Sequence, residues 1–70
     1  MPEMIFVTSS NIESIGYESS LREIHVRFLN GRTYVYHDAE EYVFIEFQNA
    51  DSLGRYLNQN IKPNYRCTEI

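Results

Sequence analysis

The stretch Asn30-Gly31-Arg32-Thr33-Tyr34-Val35-Tyr36 decides the fold, because it predicts a hairpin turn that leads directly into a strand. The preceding residues 24–28 alternate apolar and polar side chains, a pattern typical of a strand with one buried face. Tyr34 and Tyr36 are separated by one residue, so both rings leave the same face of the sheet. The two segments therefore predict an antiparallel hairpin.

The length of the turn decides which residues pair across this hairpin. A two-residue turn pairs Val26 with Val35. A three-residue loop, with Gly31 in the left-handed conformation, pairs Val26 with Tyr34 instead. We predict the second register because it separates apolar from polar side chains more cleanly. It gathers Ile24, Val26, Tyr34 and Tyr36 on one face and sends His25, Arg27 and Thr33 to the other.

Two further strands are predicted before the hairpin. Residues 4–7 form a short apolar run that ends at a polar loop, which indicates an edge strand. Residues 12–17 form the next strand, in which Ile15 and Tyr17 share a face, and residues 18–20 supply the following turn.

A helix is predicted after the hairpin. Asp38 is a good N-cap, and Glu41 follows three residues later, as in a capping box. Apolar residues then recur at helical spacing and form a stripe that would cover the sheet. This stripe comprises Ala39, Val43, Phe47 and Ala50. Gly54 makes a single long helix unfavourable, so the pattern predicts an interruption near this residue.

A second short helix is predicted beyond the interruption. Asp51 or Ser52 caps it, and it runs through Tyr56 toward Asn60. Pro63 ends it, because proline cannot continue a helix.

Together these elements predict one domain of the α+β class over residues 1–70. A small antiparallel β-meander of about three or four strands is packed on one face by an α-helix, with a second short helix and an extended C-terminal tail. The tail, residues 65–70, is predicted to pair with the edge strand at residues 5–7.

Length and composition limit the classes of function. A chain of 70 residues buries only about 60% of its unfolded surface, which leaves little volume for an enclosed pocket. We therefore expect no enzyme, no cofactor and no small-molecule substrate. The single Cys67 excludes an intrachain disulfide, and residues 1–3 lack the features of a signal peptide. No apolar run is long enough to span a membrane, so we expect a cytoplasmic protein.

Charge points to one region for a nucleic-acid partner. The formal net charge of −4 opposes tight binding of nucleic acid over the whole surface. Acidic residues crowd between residues 38 and 51, whereas residues 52–70 hold three basic residues against one acidic residue. An arginine beside an aromatic ring suits the binding of a phosphate and a base. The alternative interpretation is structural, with Tyr56 as an ordinary helix residue and Tyr65 as an anchor of the tail. The predicted RNA-binding residues are Arg55, Tyr56, Tyr65 and Arg66.

A second candidate surface lies on the first predicted helix. Tyr42 and Ile45 point away from the apolar stripe, and Phe44 lies at its margin. An exposed apolar patch of this kind marks a protein interface, including that of a homodimer, unless the C-terminal tail covers it.

The remaining chemistry-bearing residues are interpreted as structural. Tyr34 and Tyr36 either stack bases on an open sheet face or pack in the core, and the predicted register favours the core. His25 and His37 are predicted to be surface histidines without enough convergent ligands to bind a metal.

The order of these features resembles the KTSC domain. The resemblance covers roughly residues 7–65 and rests on the order and spacing of several short motifs. These are Ser9-Ser10-Asn11-Ile12, Ile15-Gly16-Tyr17, Phe28-Leu29-Asn30-Gly31, Tyr34-Val35-Tyr36 and Ala50-Asp51-Ser52-Leu53-Gly54-Arg55-Tyr56-Leu57-Asn58, with Ile61 and Tyr65. The chain departs from the family pattern at Ala39-Glu40, where Val-Pro is frequent, and at Ile45, where a polar residue is usual.

The resemblance implies a role as well as a fold. The family is named for its occurrence at the C-terminus of some lysyl-tRNA synthetases, and it also occurs as small free-standing bacterial or phage proteins. Its central Tyr-x-Tyr matches Tyr34 and Tyr36, and we interpret these residues, with Gly31 and Gly54, as structural. Attachment to a synthetase suggests RNA binding, although a shared fold does not transfer function. We therefore expect a non-catalytic binding module for RNA, weakly bound, or for a protein.

Overall fold

In the computed structural model, which describes residues 2–70, five antiparallel strands form one sheet in the order in which they occur in the chain. They are β1 (Ile5–Phe6), β2 (Ile12–Glu18), β3 (Glu23–Phe28), β4 (Thr33–Tyr36) and β5 (Cys67–Glu69). Met1, which belongs to the start segment considered above, lies outside the described residues. The predicted α+β meander is confirmed, with the C-terminal tail as an additional strand.

The central hairpin has the predicted register. Val26 pairs with Tyr34, and Ile24 pairs with Tyr36. Gly31 adopts a φ of 91°, and its N–H donates to the carbonyl of Phe28 at 2.9 Å. This left-handed conformation is one that glycine adopts without steric cost, which is why the three-residue loop forms here.

Helices cover one face of this sheet. Helix α1 spans Glu41–Gln48, and α2 spans Leu53–Tyr56 and continues as a π-helical segment, Leu57–Ile61. The side chain of Ser52 accepts a hydrogen bond from the N–H of Arg55 at 3.2 Å, which confirms the predicted cap of the second helix. Within residues 2–70, no helix is long and apolar enough to cross a membrane.

The predicted start of the first helix at Asp38 is wrong. Asp38 has a φ of 60°, and Glu40 directly precedes the helix without a side-chain capping bond. Ala39 lies between these two residues, and its contacts with the β2–β3 hairpin hold it away from helical geometry. The N–H of Ala39 donates to the carbonyl of Arg22 at 2.9 Å, and the hydroxyl of Tyr17 donates to the carbonyl of Ala39 at 2.7 Å.

The predicted pairing of the C-terminal tail with the first strand is also wrong. β5 pairs with β4, so that Tyr36 lies opposite Cys67 and Tyr34 lies opposite Glu69. β1 pairs with β2 at the other edge of the sheet, and the π-helical segment directly precedes β5 in the chain. The segment instead returns the chain to the open edge of β4, where unpaired backbone groups favour a further strand.

The core lies between the helices and the face of the sheet that carries the tyrosines. Its buried residues are Ile12, Ile15, Ile24, Val26, Tyr36, Ala39, Val43, Phe44, Phe47, Leu57 and Ile61. The predicted exposure of Phe44 is wrong, since this ring is 7% exposed and stacks on Tyr17 with 5.6 Å between ring centroids. Phe44 follows Val43 directly and precedes Phe47 by three residues, so all three lie on the buried side of α1, whereas Ala50 falls beyond the helix.

The second face of the sheet is partly covered by the N-terminal segment. Residues 2–4 cross over Gly16, which pairs with His25 on β3. His25 is therefore only 5% exposed, and the prediction of a surface histidine is wrong for this residue. Its Nε2 lies 3.1 Å from a carboxylate oxygen of Glu23, and Nδ1 of His37 lies 3.5 Å from the other oxygen.

The crossing at Gly16 leaves no room for a side chain, which predicts a loss of stability in Gly16→Ala. A Cβ there would lie 2.7 Å from the carbonyl oxygen of Glu3 and 2.8 Å from Sδ of Met4. Because backbone must move, we expect a loss of about 1–3 kcal/mol in the free energy of unfolding, measured by urea denaturation.

Gly54→Ala is the matched control. A Cβ at Gly54 would meet only the side chain of Asn11, at 3.1 Å, and alanine is the better helix former. We expect this variant to stay within about 0.5 kcal/mol of the parent. Equal stability of Gly16→Ala and the parent would contradict the described path of residues 2–4.

Candidate functional site

A groove of about 440 Å³ opens on the helix-covered face, at the end of the sheet that the helices leave free. Its walls come from the β3–β4 hairpin, from the residue after the π-helical segment and from the start of β5. The lining residues are Phe28, Asn30, Arg32, Tyr34, Tyr36, Lys62 and Cys67. We refer to this cavity as the β4–β5 groove.

Two aromatic rings form one side of the β4–β5 groove. Phe28 and Tyr34 extend from the same face of neighbouring strands, and their ring centroids lie 5.7 Å apart at an interplanar angle of 78°. Both are only partly buried, in contrast to Ile24 and Val26, which are fully buried deeper under the helices. The edge-to-face pair therefore leaves apolar ring surface open to a ligand.

Tyr36 presents a hydroxyl to the groove from an otherwise buried ring. The residue is 2% exposed. Burial, followed by the proximity of Cys67 and Tyr34, raises the pKa of Tyr36 to about 12. The hydroxyl end thus lies near two other groove residues and stays protonated at physiological pH. No hydrogen bond within residues 2–70 uses this hydroxyl, so its donor and acceptor are available in the groove.

Two cations, and no carboxylate, are among the lining residues of the groove. Lys62 follows the π-helical segment and is exposed to solvent. Nη1 of Arg32 lies 3.5 Å from a carboxylate oxygen of Glu69. The hydrogen bond to Tyr34, and then the charge of Glu69, raise the pKa of Arg32. This part of an acidic protein is therefore locally suited to an anion.

The four residues predicted to bind RNA do not line this groove. Tyr56 stacks on Phe47 with 5.8 Å between centroids, and its hydroxyl donates to Glu46 at 2.8 Å. Burial and then this hydrogen bond raise the pKa of Tyr56 to about 12. Tyr65 packs at the margin of the core. The tyrosines thus have the structural contacts that the alternative interpretation, a helix residue and a tail anchor, predicted.

The two predicted arginines lie apart from the groove and have different surroundings. Arg55 lines a smaller cavity of about 160 Å³ together with Asp51 and Tyr56. Arg66 lies 3.9 Å from a carboxylate oxygen of Asp38, and both side chains are largely exposed. Neither of the two cavities contains more than two of the four predicted residues.

Of the three residues predicted for a protein interface, only two lie at the surface. Tyr42 is 62% exposed and Ile45 is 49% exposed, whereas Phe44 belongs to the core. The apolar patch on α1 is correspondingly smaller than predicted.

The groove residues that the sequence analysis missed come from segments distant in the chain. Cys67 lies beside Tyr36 because the tail pairs with β4, and Lys62 enters the lining from the end of the π-helical segment. Arg32 follows Asn30 and Gly31 in the hairpin motif, and nothing in the neighbouring sequence distinguishes it from an ordinary surface cation. The sequence indicated only that the tail is extended, and the pairing of Cys67 with Tyr36 in the structure puts both side chains on one face.

Metal chemistry finds no support in the described part of the chain. Residues 2–70 contain no group of three or more His, Cys, Asp or Glu side chains placed to hold a metal ion. The groove instead offers aromatic surface, two cations and one free hydroxyl.

Comparison with known proteins identifies the family. The sequence model of the KTSC domain matches residues 8–65. The chain belongs to the KTSC domain family. A crystal structure of a KTSC domain protein from Yersinia pestis superimposes with a TM-score of 0.92 at 34% identity, covering 100% of this chain and 99% of that one.

Two bacterial relatives resemble this KTSC domain over nearly their whole length. A protein from Tsukamurella paurometabola is 36% identical over 64 residues, which are 91% of this chain and 96% of the relative. An uncharacterized protein from Stutzerimonas stutzeri is 36% identical over 67 residues, 94% of each chain. The family resemblance is thus confirmed, and neither relative's name states an activity.

The raised pKa of Tyr36 predicts a loss of stability at alkaline pH. The folded state holds this proton until about pH 12, whereas the unfolded chain releases it near the ordinary pKa of 10.0. The contribution of Tyr36 is complete below pH 10 and declines as pH rises toward 12. Urea denaturation at about pH 9 and about pH 11.5 should show a smaller loss for Tyr36→Phe than for the parent. Parallel losses in both proteins would contradict the assignment.

Proposed function

We propose that this KTSC domain is a non-catalytic binding module that binds single-stranded RNA weakly in the β4–β5 groove. The observation that carries the proposal is the combination of open aromatic rings with Arg32 and Lys62 around one cavity that has no carboxylate in its lining. Single-strand binders use this combination, since aromatic rings stack bases while cations neutralise the phosphates.

The shape of the groove favours a single strand over a duplex. Stacking on Phe28 or Tyr34 requires a base that is splayed out of a helix, which unpaired nucleotides supply at the lowest cost. The rings line the same groove as Lys62, which follows the π-helical segment. Loops and single-stranded ends are therefore the favoured RNA elements.

Weak binding follows from the charge of the protein. The formal net charge is −4, and the groove supplies only two cations. Phosphate contacts provide most of the nonspecific affinity of such proteins, so two contacts give a small electrostatic contribution that salt readily screens.

The chemistry of the groove supports binding without catalysis. Cys67 is exposed and is the one nucleophilic thiol of the sequence. None of the seven lining residues is a histidine or a carboxylate, the side chains that most often act as general bases, and Lys62 is protonated at neutral pH unless it is desolvated, whereas its side chain is exposed.

A protein partner, including a second copy of the chain, is the competing proposal. Exposed Tyr42 and Ile45 on α1 favour it. With Phe44 buried, however, this patch offers two large apolar side chains, which is small for an interface core. The RNA proposal therefore comes first.

Two charge-reversal variants with the same net charge test the RNA proposal. Arg32→Glu with Lys62→Glu removes the cations of the groove, whereas Arg55→Glu with Arg66→Glu removes two cations elsewhere. Each substitution lowers the charge by two, so both double variants fall from −4 to −8. Each double variant also removes one exposed ion pair. The groove variant loses the pair of Arg32 with Glu69, and the control loses the pair of Arg66 with Asp38. The control thus matches the test in charge and in the number of lost ion pairs.

Fluorescence anisotropy of a labelled single-stranded RNA, titrated at two salt concentrations, gives the readout. We expect the groove variant to bind more weakly and with a flatter salt dependence, by about 0.7 in slope for each lost phosphate contact. The control variant should retain most of the affinity. Equal weakening of both variants would contradict the groove as the site. Absence of binding by the parent at low salt would overturn the RNA proposal in favour of a protein partner.

A further inference from the structure

We propose that the β4–β5 groove is a site for one nucleotide, in which the base packs against Phe28 and Tyr34, the hydroxyl of Tyr36 hydrogen-bonds to the base, and Lys62 and Arg32 bind the phosphate. The inference rests on the proposed function, and it adds the size of the unit recognised and a residue that contacts the base. A nucleotide within RNA and a free mononucleotide carry the same chemistry, and the experiment below separates them.

The volume of the groove sets the size of the ligand. A cavity of about 440 Å³ lies in the lower part of the range for small-molecule sites. Tyr36 is the one buried core residue in its lining, and the ring pair of Phe28 and Tyr34 forms a wall. This space holds a base with its sugar and leaves the phosphate at the rim.

Tyr36 supplies the polar group that a base requires in an apolar pocket. The residue is 2% exposed, and its hydroxyl has no hydrogen-bond partner within residues 2–70. The hydroxyl oxygen is not among the buried unpaired atoms of residues 2–70, so it is reachable from the groove, and a ligand can pair with it without breaking a bond within the fold. Because the hydroxyl both donates and accepts, it can meet either kind of group on a base edge.

The two cations stand on different walls of the groove. Arg32 belongs to the end of the hairpin loop, and Lys62 follows the π-helical segment. A phosphate at the rim between them can contact both. The pair of Arg32 with Glu69 is exposed and spans 3.5 Å, and exposed ion pairs of this kind are weak enough to exchange for a phosphate.

Cys67 makes occupancy of the groove measurable without a label. It is the sole cysteine of the chain and lines the groove opposite Tyr36. A ligand in the groove should shield the thiol, so the rate of alkylation by iodoacetamide, followed by mass spectrometry of the intact protein, reports binding. The probes are a short oligouridylate, uridine 5′-monophosphate, adenosine 5′-monophosphate and inorganic phosphate.

We expect both mononucleotides to slow alkylation in a saturable way, with inorganic phosphate at least about tenfold weaker because it gains no stacking. Tyr36→Phe should raise the half-protecting concentration about fivefold, as expected for one neutral hydrogen bond. Its urea midpoint at neutral pH should match the parent, since the lost hydroxyl has no partner in the protein. Tyr42→Phe removes an exposed hydroxyl on α1 and should change neither quantity.

The outcomes separate this inference from the proposed function. Protection by the oligouridylate, together with no protection by mononucleotides at about 10 mM and no effect of Tyr36→Phe, would overturn the single-nucleotide site and leave RNA binding standing. RNA binding by anisotropy without any protection of Cys67 would overturn the groove as its location. If a mononucleotide protects Cys67 from alkylation and Tyr36→Phe weakens that protection, the site is established, even if longer RNA binds no more tightly.

Discussion

The register of the β3–β4 hairpin is the constraint on which the rest of the structure depends. Gly31 at a φ of 91° allows a three-residue loop, and this loop pairs Val26 with Tyr34 and thereby fixes the face of Tyr36. A slip by one residue would turn both tyrosines to the opposite face of the sheet and would empty the core and the groove together. One backbone conformation therefore determines both the packing and the candidate site.

The tyrosine-bearing face of the sheet divides into a closed and an open part. Helices α1 and α2 with the π-helical segment cover the inner part, where Ile24 and Tyr36 are buried. β5 extends the sheet with exposed residues, and Phe28 and Tyr34 stay only partly buried in the groove that Lys62 and Cys67 also line. Tyr36 belongs to both parts, since its ring packs in the core while its hydroxyl reaches the groove. The core and the groove thus share one residue.

Local patterns predicted the local structure, and long-range contacts account for what they missed. The Asn-Gly turn, the alternation of residues 24–28 and the cap at Ser52 are encoded within a few residues, and each is confirmed. The start of α1 depends on two hydrogen bonds of Ala39, one to the carbonyl of Arg22 and one from the hydroxyl of Tyr17. Both partners lie far from Asp38 in the sequence, so no local pattern could reveal them. The burial of His25, the position of the tail and hence the groove likewise depend on pairings between distant segments. The sequence therefore predicted the hairpin that forms one wall of the groove, but not the contribution of Lys62 and Cys67 to its lining.

The central claim is that the ligand site of this KTSC domain lies in the β4–β5 groove, and amide chemical-shift mapping by NMR tests it most directly. A short single-stranded RNA titrated into the ¹⁵N-labelled protein should shift amides of residues 28–36, Lys62 and Cys67 at the same ligand concentrations. Amides of α1 and of the small cavity at Arg55 should stay in place. Shifts centred on Arg55 and Tyr56, or on Tyr42 and Ile45, with residues 28–36 unchanged, would contradict the account.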